Sequence, residues 1–166
     1  MKKIWIWAVL ALLLTGCGAR ETFETLSDVY AVPASATAYQ VQLSLPEEAV
    51  LQTLQASDGS QLYLCDGYTV TVQTLPAGDL DRTLHDVTGF GKEQLRYLKT
   101  RKDGFTCYSC AWSAATEEGN AVCRAVILDD GSSHHAVTVM ADYTDAADLN
   151  AQWQHILDSV SLVSTG

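Results

Sequence analysis

Alternation of apolar and polar residues predicts strands through the middle of the chain. Tyr39–Leu45 alternates strictly and is followed by Pro46, which ends a strand. A second short segment is predicted at Ala49–Gln55, and Asp66-Gly67 predicts a hairpin turn because both residues favour positive φ. The remaining predicted strands are Gln61–Cys65, Tyr68–Leu75, Leu95–Thr100, Phe105–Ala114, Ala121–Leu128 and Ala136–Asp142. Short polar turns separate the last four, as an antiparallel meander requires.

Two segments have the apolar period of a helix instead. Asp79 is placed to cap a helix that Gly89 ends in a left-handed conformation. Leu80, Leu84 and Val87 form its apolar face. Asp145 is placed to cap a second helix, near the end of the chain. Its apolar stripe consists of Leu149, Trp153, Ile156, Leu157 and Val160.

The order of these elements predicts the fold class. Strands, a helix, a strand meander and a helix within residues 39–163 indicate a single α+β domain, with two helices packed on an antiparallel sheet. This order, together with the closing strand, acidic cap, amphipathic helix and Ser159–Leu162, resembles the PsbP-like sandwich. That fold occurs in photosystem extrinsic subunits, a nuclear-transport factor family and small exported bacterial lipoproteins. The resemblance implies the fold and no particular function, since its members do unrelated jobs.

The N-terminus is typical of an export signal. Lys2 and Lys3 precede an uninterrupted apolar run of eleven residues, Ile4–Leu14. At about 1.5 Å per residue, such a helix reaches about half of a hydrocarbon layer roughly 30 Å thick. The run is therefore too short to be a spanning helix.

The residues that follow this run resemble the lipobox of bacterial lipoproteins, Leu14-Thr15-Gly16-Cys17. The resemblance implies that the Cys17 sulfur receives a diacylglyceryl group and that cleavage falls between Gly16 and Cys17. Acylation of the new amine would complete an anchor on the extracytoplasmic side of the cell membrane. Residues 1–16 are then a signal peptide, and residues 17–38, rich in small and polar residues, a lipidated tether. The alternative is an ordinary secretory signal with an incidental cysteine.

The net charge of the chain limits the classes of partner that it can bind. The chain has 10 Lys and Arg against 20 Asp and Glu, a net charge of −10. This acid excess argues against nucleic acid, which requires clustered cations. Without residues 1–16 the charge is −12, so an anionic bilayer repels the domain and the lipid is its expected link to the membrane.

Five cations are concentrated in a short stretch: Lys92, Arg96, Lys99, Arg101 and Lys102. They predict an anion-binding patch or a docking face for an acidic partner. The alternative is a solvated strand and turn whose charges balance nearby acids.

Four cysteines remain after Cys17, namely Cys65, Cys107, Cys110 and Cys123. Positions 107 and 110 differ by an odd number, so on a strand their sulfurs point to opposite faces, which disfavours a reactive dithiol or a zinc site. If Thr116 pairs with Ala121, Cys110 lies too far from Cys123 for a bridge. Buried free thiols are expected. A disulfide, with Cys65 as a candidate, is the second interpretation, and a redox or metal role the third.

No pattern of residues predicts catalysis. His134 and His135 are adjacent and should face opposite sides of a strand, so they do not chelate one metal, and they are interpreted as part of a polar hairpin turn. His85 and His155 are interpreted as solvated or capping residues within helices. Neither a metal site nor a cofactor is predicted, because no hydrolase, metalloprotease or phosphate-loop motif occurs.

The sequence therefore predicts a lipid-anchored, non-enzymatic binding module. The main alternative is an enzyme acting on envelope material, whose histidine and carboxylate would converge in a pocket. A thiol oxidoreductase is the third function.

Overall fold

Ten strands and two helices form the part of the chain that the computed structural model describes, residues 26–30, 38–52, 60–117 and 119–166. In chain order they are β1 (Leu26–Tyr30), β2 (Tyr39–Pro46), β3 (Val50–Gln52), β4 (Gln61–Cys65), β5 (Tyr68–Pro76), α1 (Leu80–Thr88), β6 (Tyr97–Lys102), β7 (Phe105–Thr116), β8 (Gly119–Asp129), β9 (Ser133–Asp142), α2 (Asn150–Ser159) and β10 (Ser161–Ser164).

The strands form two antiparallel sheets. The large sheet has the order β3-β4-β5-β9-β8-β7-β6, and the small sheet has the order β1-β2-β10. One face of the large sheet, here called the inner face, packs with the small sheet and α2 into the main core. The outer face packs against α1 in a second core. The predicted α+β class, an antiparallel sheet with two packed helices, is confirmed.

The two cores follow from strand alternation. On the inner side, residues buried almost completely include Leu43, Leu45, Val70, Val137, Val139, Trp153 and Ile156. On the outer side, Ala125 and Ile127 of β8 and Ala136 of β9 pack with Leu84 of α1. Strands β8 and β9 therefore contribute apolar residues to both cores, which explains their nearly continuous apolar sequence.

Helix α1 matches its prediction. The Asp79 carboxylate accepts a hydrogen bond from the Asp81 amide at 3.0 Å, which satisfies a donor of the first turn. Gly89 ends the helix at φ +78°, where a side chain would be strained. Leu84 is fully buried, and Leu80 and Val87 are packed beside it.

Helix α2 buries the predicted apolar stripe but begins later than expected. Asp145 is not its cap, because the Asp145 carbonyl instead accepts from the Leu149 amide at 3.2 Å in a preceding turn. The helix starts at Asn150 without a side-chain cap. Trp153, Ile156 and Leu157 are buried, so packing on the inner core stabilises the helix despite the absent cap.

Part of the segment predicted as a tether is a strand. Strand β1 pairs along its whole length with β2, from Leu26 opposite Pro46 to Tyr30 opposite Gln42. The folded domain therefore begins before residue 39. The signal peptide, Cys17 and the rest of the tether before Ala38 lie outside the described residues, as does the end of the segment predicted at Ala49–Gln55, whose strand is Val50–Gln52.

The predicted register of β7 and β8 is wrong by two residues. Thr116 lies opposite Gly119 rather than Ala121, and Trp112 rather than Ala114 lies opposite Cys123. The turn is shorter than the four residues expected, with Gly119 at φ +145°. Because the shift is even, every side chain keeps its predicted face.

Candidate functional site

An open groove of about 540 Å³ lies on the inner face, between α2 and strands β6, β7 and β8. Its apolar lining includes Leu98 of β6, Ala111 of β7, Val126 of β8 and Leu157 of α2. Leu98 is 63% exposed, so much of its apolar side chain remains available to a ligand in the groove. The groove forms where the large sheet continues past the helix that covers its centre.

Two guanidinium groups line the same groove. Arg96 precedes β6 and is exposed, whereas Arg124 is half-buried in the middle of β8. Neither has a carboxylate oxygen within 4.0 Å among the residues that the structure describes. An arginine held partly out of water without an acidic partner favours a bound anion.

Lys102 places a third cation next to a residue that lines the groove, Asp158. Its Nζ donates to the carbonyl of Asp158, near the C-terminus of α2. The Asp158 carboxylate also lines the groove, where it accepts from Gln154 Nε2 at 2.8 Å. Cations thus outnumber carboxylates here, in a chain whose net charge is −10.

The predicted basic patch is divided rather than assembled. Lys99 lies over the ring of Tyr108 on the outer side, with 5.7 Å from its Nζ to the ring centroid. Arg101 Nη2 donates to the Gly104 carbonyl in the β6–β7 turn at 2.8 Å, whereas Lys102 reaches α2 on the inner side. Lys92 lies outside β6, next to α1, and its amide donates to Asp81. Strand alternation therefore places Lys99 and Arg101 on the side of the sheet opposite to Lys102.

Arg124 was missed by the reasoning from sequence, although its signal is present. It is the charged residue within the otherwise apolar stretch from Ala121 to Leu128. A charged side chain in the middle of a buried strand requires either an oppositely charged partner or a cavity that water can enter. Here the groove supplies the cavity.

The two adjacent histidines are buried, which the interpretation as a polar turn did not predict. They do face opposite sides, as predicted. His135 is fully buried on the inner side, where Nε2 lies 2.9 Å from Asp130 Oδ2 and Nδ1 lies 3.2 Å from Thr74 Oγ1. On the outer side, His134 Nδ1 lies 2.6 Å from Thr83 Oγ1 of α1. The pair thus ties the β8–β9 turn to β5 and to α1.

Asp130 organises the inner half of this cluster. Burial raises the pKa of Asp130, but hydrogen bonds from His135, Ser132 and Ser133 outweigh it and lower the pKa to about 2. A neutral His135 with its proton on Nε2 donates to the ionised carboxylate, and in that tautomer Nδ1 can accept from the Thr74 hydroxyl. This chain of acid, base and hydroxyl has the connectivity of an activated nucleophile. However, the base is fully buried, and none of its members lines the groove. We interpret the cluster as a structural clamp.

No disulfide joins any two of the four described cysteines, and Cys107, Cys110 and Cys123 are free thiols. Cys107 packs in the inner core and Cys110 in the outer core, so their sulfurs lie on opposite faces. Cys110 lies opposite Ala125, two residues from Cys123 on β8. Such diagonal neighbours are about 7–8 Å apart, beyond the usual reach of a disulfide.

Burial should also make two of these thiols unreactive. It raises the pKa of Cys110 and that of Cys123 to about 11. We expect iodoacetamide to modify neither at about pH 8 until the chain is unfolded, because the thiolate is the reactive species. Mass spectrometry of tryptic peptides with and without denaturant measures this. Rapid labelling of Cys110 in the native protein would instead support the interpretation of the chain as a thiol oxidoreductase.

Within the described residues, no group of three or more His, Cys, Asp or Glu side chains is placed to hold a metal ion. No helix among them is both long enough and apolar enough to cross a membrane.

Comparison with known proteins shows the fold. No family profile and no curated protein sequence matches the chain. Among solved structures, the cyanobacterial PsbP (CyanoP) of Synechocystis sp. PCC 6803 is similar at 11% identity with a TM-score of 0.57, over 91% of this chain and 99% of that one. The predicted PsbP-like fold is therefore confirmed.

Two further structures are similar at low identity. A protein from Bacteroides thetaiotaomicron VPI-5482 aligns at 9% identity with a TM-score of 0.52, over 76% of this chain and 46% of its own. LpqN of Mycobacterium tuberculosis, which is involved in cell envelope biogenesis, aligns at 12% identity with a TM-score of 0.45, over 84% of this chain and 92% of its own. At such identities the likeness concerns the fold alone.

Proposed function

We propose that this protein is a lipid-anchored extracytoplasmic binding module whose ligand combines an anionic group with an apolar part. The observation that carries the proposal is Arg124, half-buried beside Arg96 in an apolar groove and without an acidic partner among the described residues. The acylated Cys17 would hold the groove close to the outer surface of the membrane.

The groove has the properties that such a ligand requires. Its volume of about 540 Å³ lies within the usual range for small-molecule and side-chain sites. Guanidinium groups bind carboxylates and phosphates through paired hydrogen bonds, which gives orientation as well as affinity. Leu98 and Leu157 add apolar area to the same lining. Because the rest of the chain is acidic, its negative electrostatic potential repels anions from other parts of the surface.

A small probe tests the site without knowledge of the natural ligand. We expect 4-phenylbutyrate, added to the full lipidated chain in zwitterionic nanodiscs, to shift the methyl NMR signals of Leu98, Ala111 and Val126. Arg124→Gln should weaken this binding about tenfold, because one charged hydrogen-bonded contact contributes on the order of 1.4 kcal/mol. The uncharged 4-phenylbutanol should bind far less tightly.

Arg82→Gln is the matched control. Arg82 lies on α1, pairs with Asp86 and has a side chain that is 83% exposed, so its removal should leave the affinity unchanged. Equal binding of the alcohol, or an equal loss in the Arg82 variant, would contradict the proposed ligand class. Absence of any methyl shift would exclude the groove as the site.

A further inference from the structure

We propose that β6 accepts an acidic, extended segment of a partner protein as an eighth strand of the large sheet, so that the partner's apolar side chains enter the groove. This inference rests on the proposed function and names the class of its ligand. Strand β6 is terminal in the sheet and pairs, within the described part of the chain, only with β7. The edge of β6 that points away from β7 therefore presents backbone donors and acceptors that a further strand can use.

The divided cations are the second observation. Lys99 and Arg101 project toward the outer side, and Lys102 toward the inner side. A small anion touches one side only, whereas the side chains of an added strand alternate and reach both. Residues directly opposite on paired antiparallel strands have Cβ atoms about 4.5–5.5 Å apart, close enough for acid–base pairs. No acidic residue occurs within β6 to compete for these cations.

Leu98 links the edge to the groove. It lies opposite Ser109 on β7, lines the groove and is 63% exposed. An apolar residue of the added strand, placed beside Leu98, would cover that side chain and continue the apolar lining toward Leu157. Burial of this area contributes affinity that the charges alone do not supply.

A second copy of the chain does not fit this edge through its own β6. Each such strand has three cations and no acid, so two of them would concentrate six positive charges along one seam, with no carboxylate within the strands to offset them. Lysines on an edge strand also prevent indiscriminate pairing between sheets. The cations therefore select against neutral and basic strands and in favour of an acidic one.

A synthetic peptide tests the inference. In antiparallel register the acetylated, amidated sequence Glu-Glu-Thr-Glu-Val-Tyr places its acids opposite Lys102, Arg101 and Lys99, and its valine opposite Leu98. Added to the full lipidated chain in zwitterionic nanodiscs, it should shift the Leu98 methyl signal and slow amide hydrogen exchange along β6. The double variant Lys99→Glu/Arg101→Glu should weaken binding at least about tenfold.

Matched controls separate strand addition from charge attraction. Lys92→Glu removes a nearby cation outside β6 and should reduce the affinity far less. A peptide with lysine in place of each glutamate should not bind. N-methylation of the alternate peptide amides that face β6 should abolish binding, because these amides would donate to the backbone of β6. Equal binding of the N-methylated peptide, or an equal loss in the Lys92 variant, would overturn the inference. Binding of 4-phenylbutyrate without binding of the acidic peptide would overturn it while leaving the proposed function intact.

Discussion

Replacing Asp130 with alanine is expected to lower the free energy of unfolding by about 3 kcal/mol, because a buried charge-assisted network loses its common acceptor. The Asp130 carboxylate accepts from the amides of Ser132 and Ser133 at 2.7 and 2.6 Å, and from the Ser132 hydroxyl at 2.8 Å. It also binds His135 Nε2 at 2.9 Å. The variant leaves His135 fully buried with an unsatisfied N–H. Denaturant unfolding followed by circular dichroism measures the loss.

Asp129→Ala is the neighbouring control. The Asp129 side chain is 26% exposed, accepts from the Gly131 amide at 2.8 Å and lies 3.8 Å from His134 Nε2. We expect its loss to cost about 1 kcal/mol, as for one exposed turn hydrogen bond. Equal destabilisation by the two alanine substitutions would show that Asp130 has no special role in the clamp.

Lowering the pH should reduce the difference in free energy of unfolding between Asp130→Ala and the wild type. The pKa of Asp130 is about 2 in the folded protein, below its ordinary value of 3.8, so the carboxylate stabilises the fold fully above about pH 4. This contribution is lost as the pH falls through 2, where the folded-state carboxyl is protonated. The unfolding midpoints of wild type and Asp130→Ala should therefore converge between pH 4 and pH 2. A constant gap would mean that the stabilisation does not depend on the ionised carboxylate.

Replacing Cys17 with serine is expected to move the protein from the membrane fraction to the soluble fraction. Serine offers no sulfur for the diacylglyceryl group, and each buried CH₂ of an acyl chain contributes roughly 0.8 kcal/mol to membrane binding. Intact-mass spectrometry should show loss of the lipid mass together with the change in fractionation. The acidic domain offers no electrostatic attraction to an anionic bilayer in its place.

Cys65→Ser is the control for this experiment, because it removes a thiol from the end of β4 and leaves Cys17 intact. Its fractionation and lipid mass should equal those of the wild type. An unchanged mass and unchanged membrane fraction for Cys17→Ser would refute lipidation at this residue.

Local patterns predicted most of the elements because their signals are short in sequence. The Asp66-Gly67 hairpin, the cap and left-handed end of α1, and the apolar stripe of α2 all depend on neighbouring residues and were confirmed. The start of α2 and the register of β7 and β8 were wrong. Both depend on where an element packs rather than on the residues at its ends.

The candidate site was less predictable. The charge of Lys99, Arg101 and Lys102 is visible in the sequence, but their division between two sides follows from the pairing of β6 with β7 and from the position of α2. Arg124 joins the groove from a strand more than twenty residues later in the chain. The burial of His134 and His135 likewise depends on Thr83 of α1 and Thr74 of β5.

The sequence by itself determined the α+β class, most of the strands and both helices, and it predicts the lipid anchor, since each of these is encoded by contiguous periodicity or by a short motif. Only the tertiary structure decided which side of β6 each cation occupies, that β1 joins the folded domain, and that a groove opens beside Arg124. The physical reason is that these features arise from contacts between distant segments, whose geometry is set by the packing of whole sheets and helices.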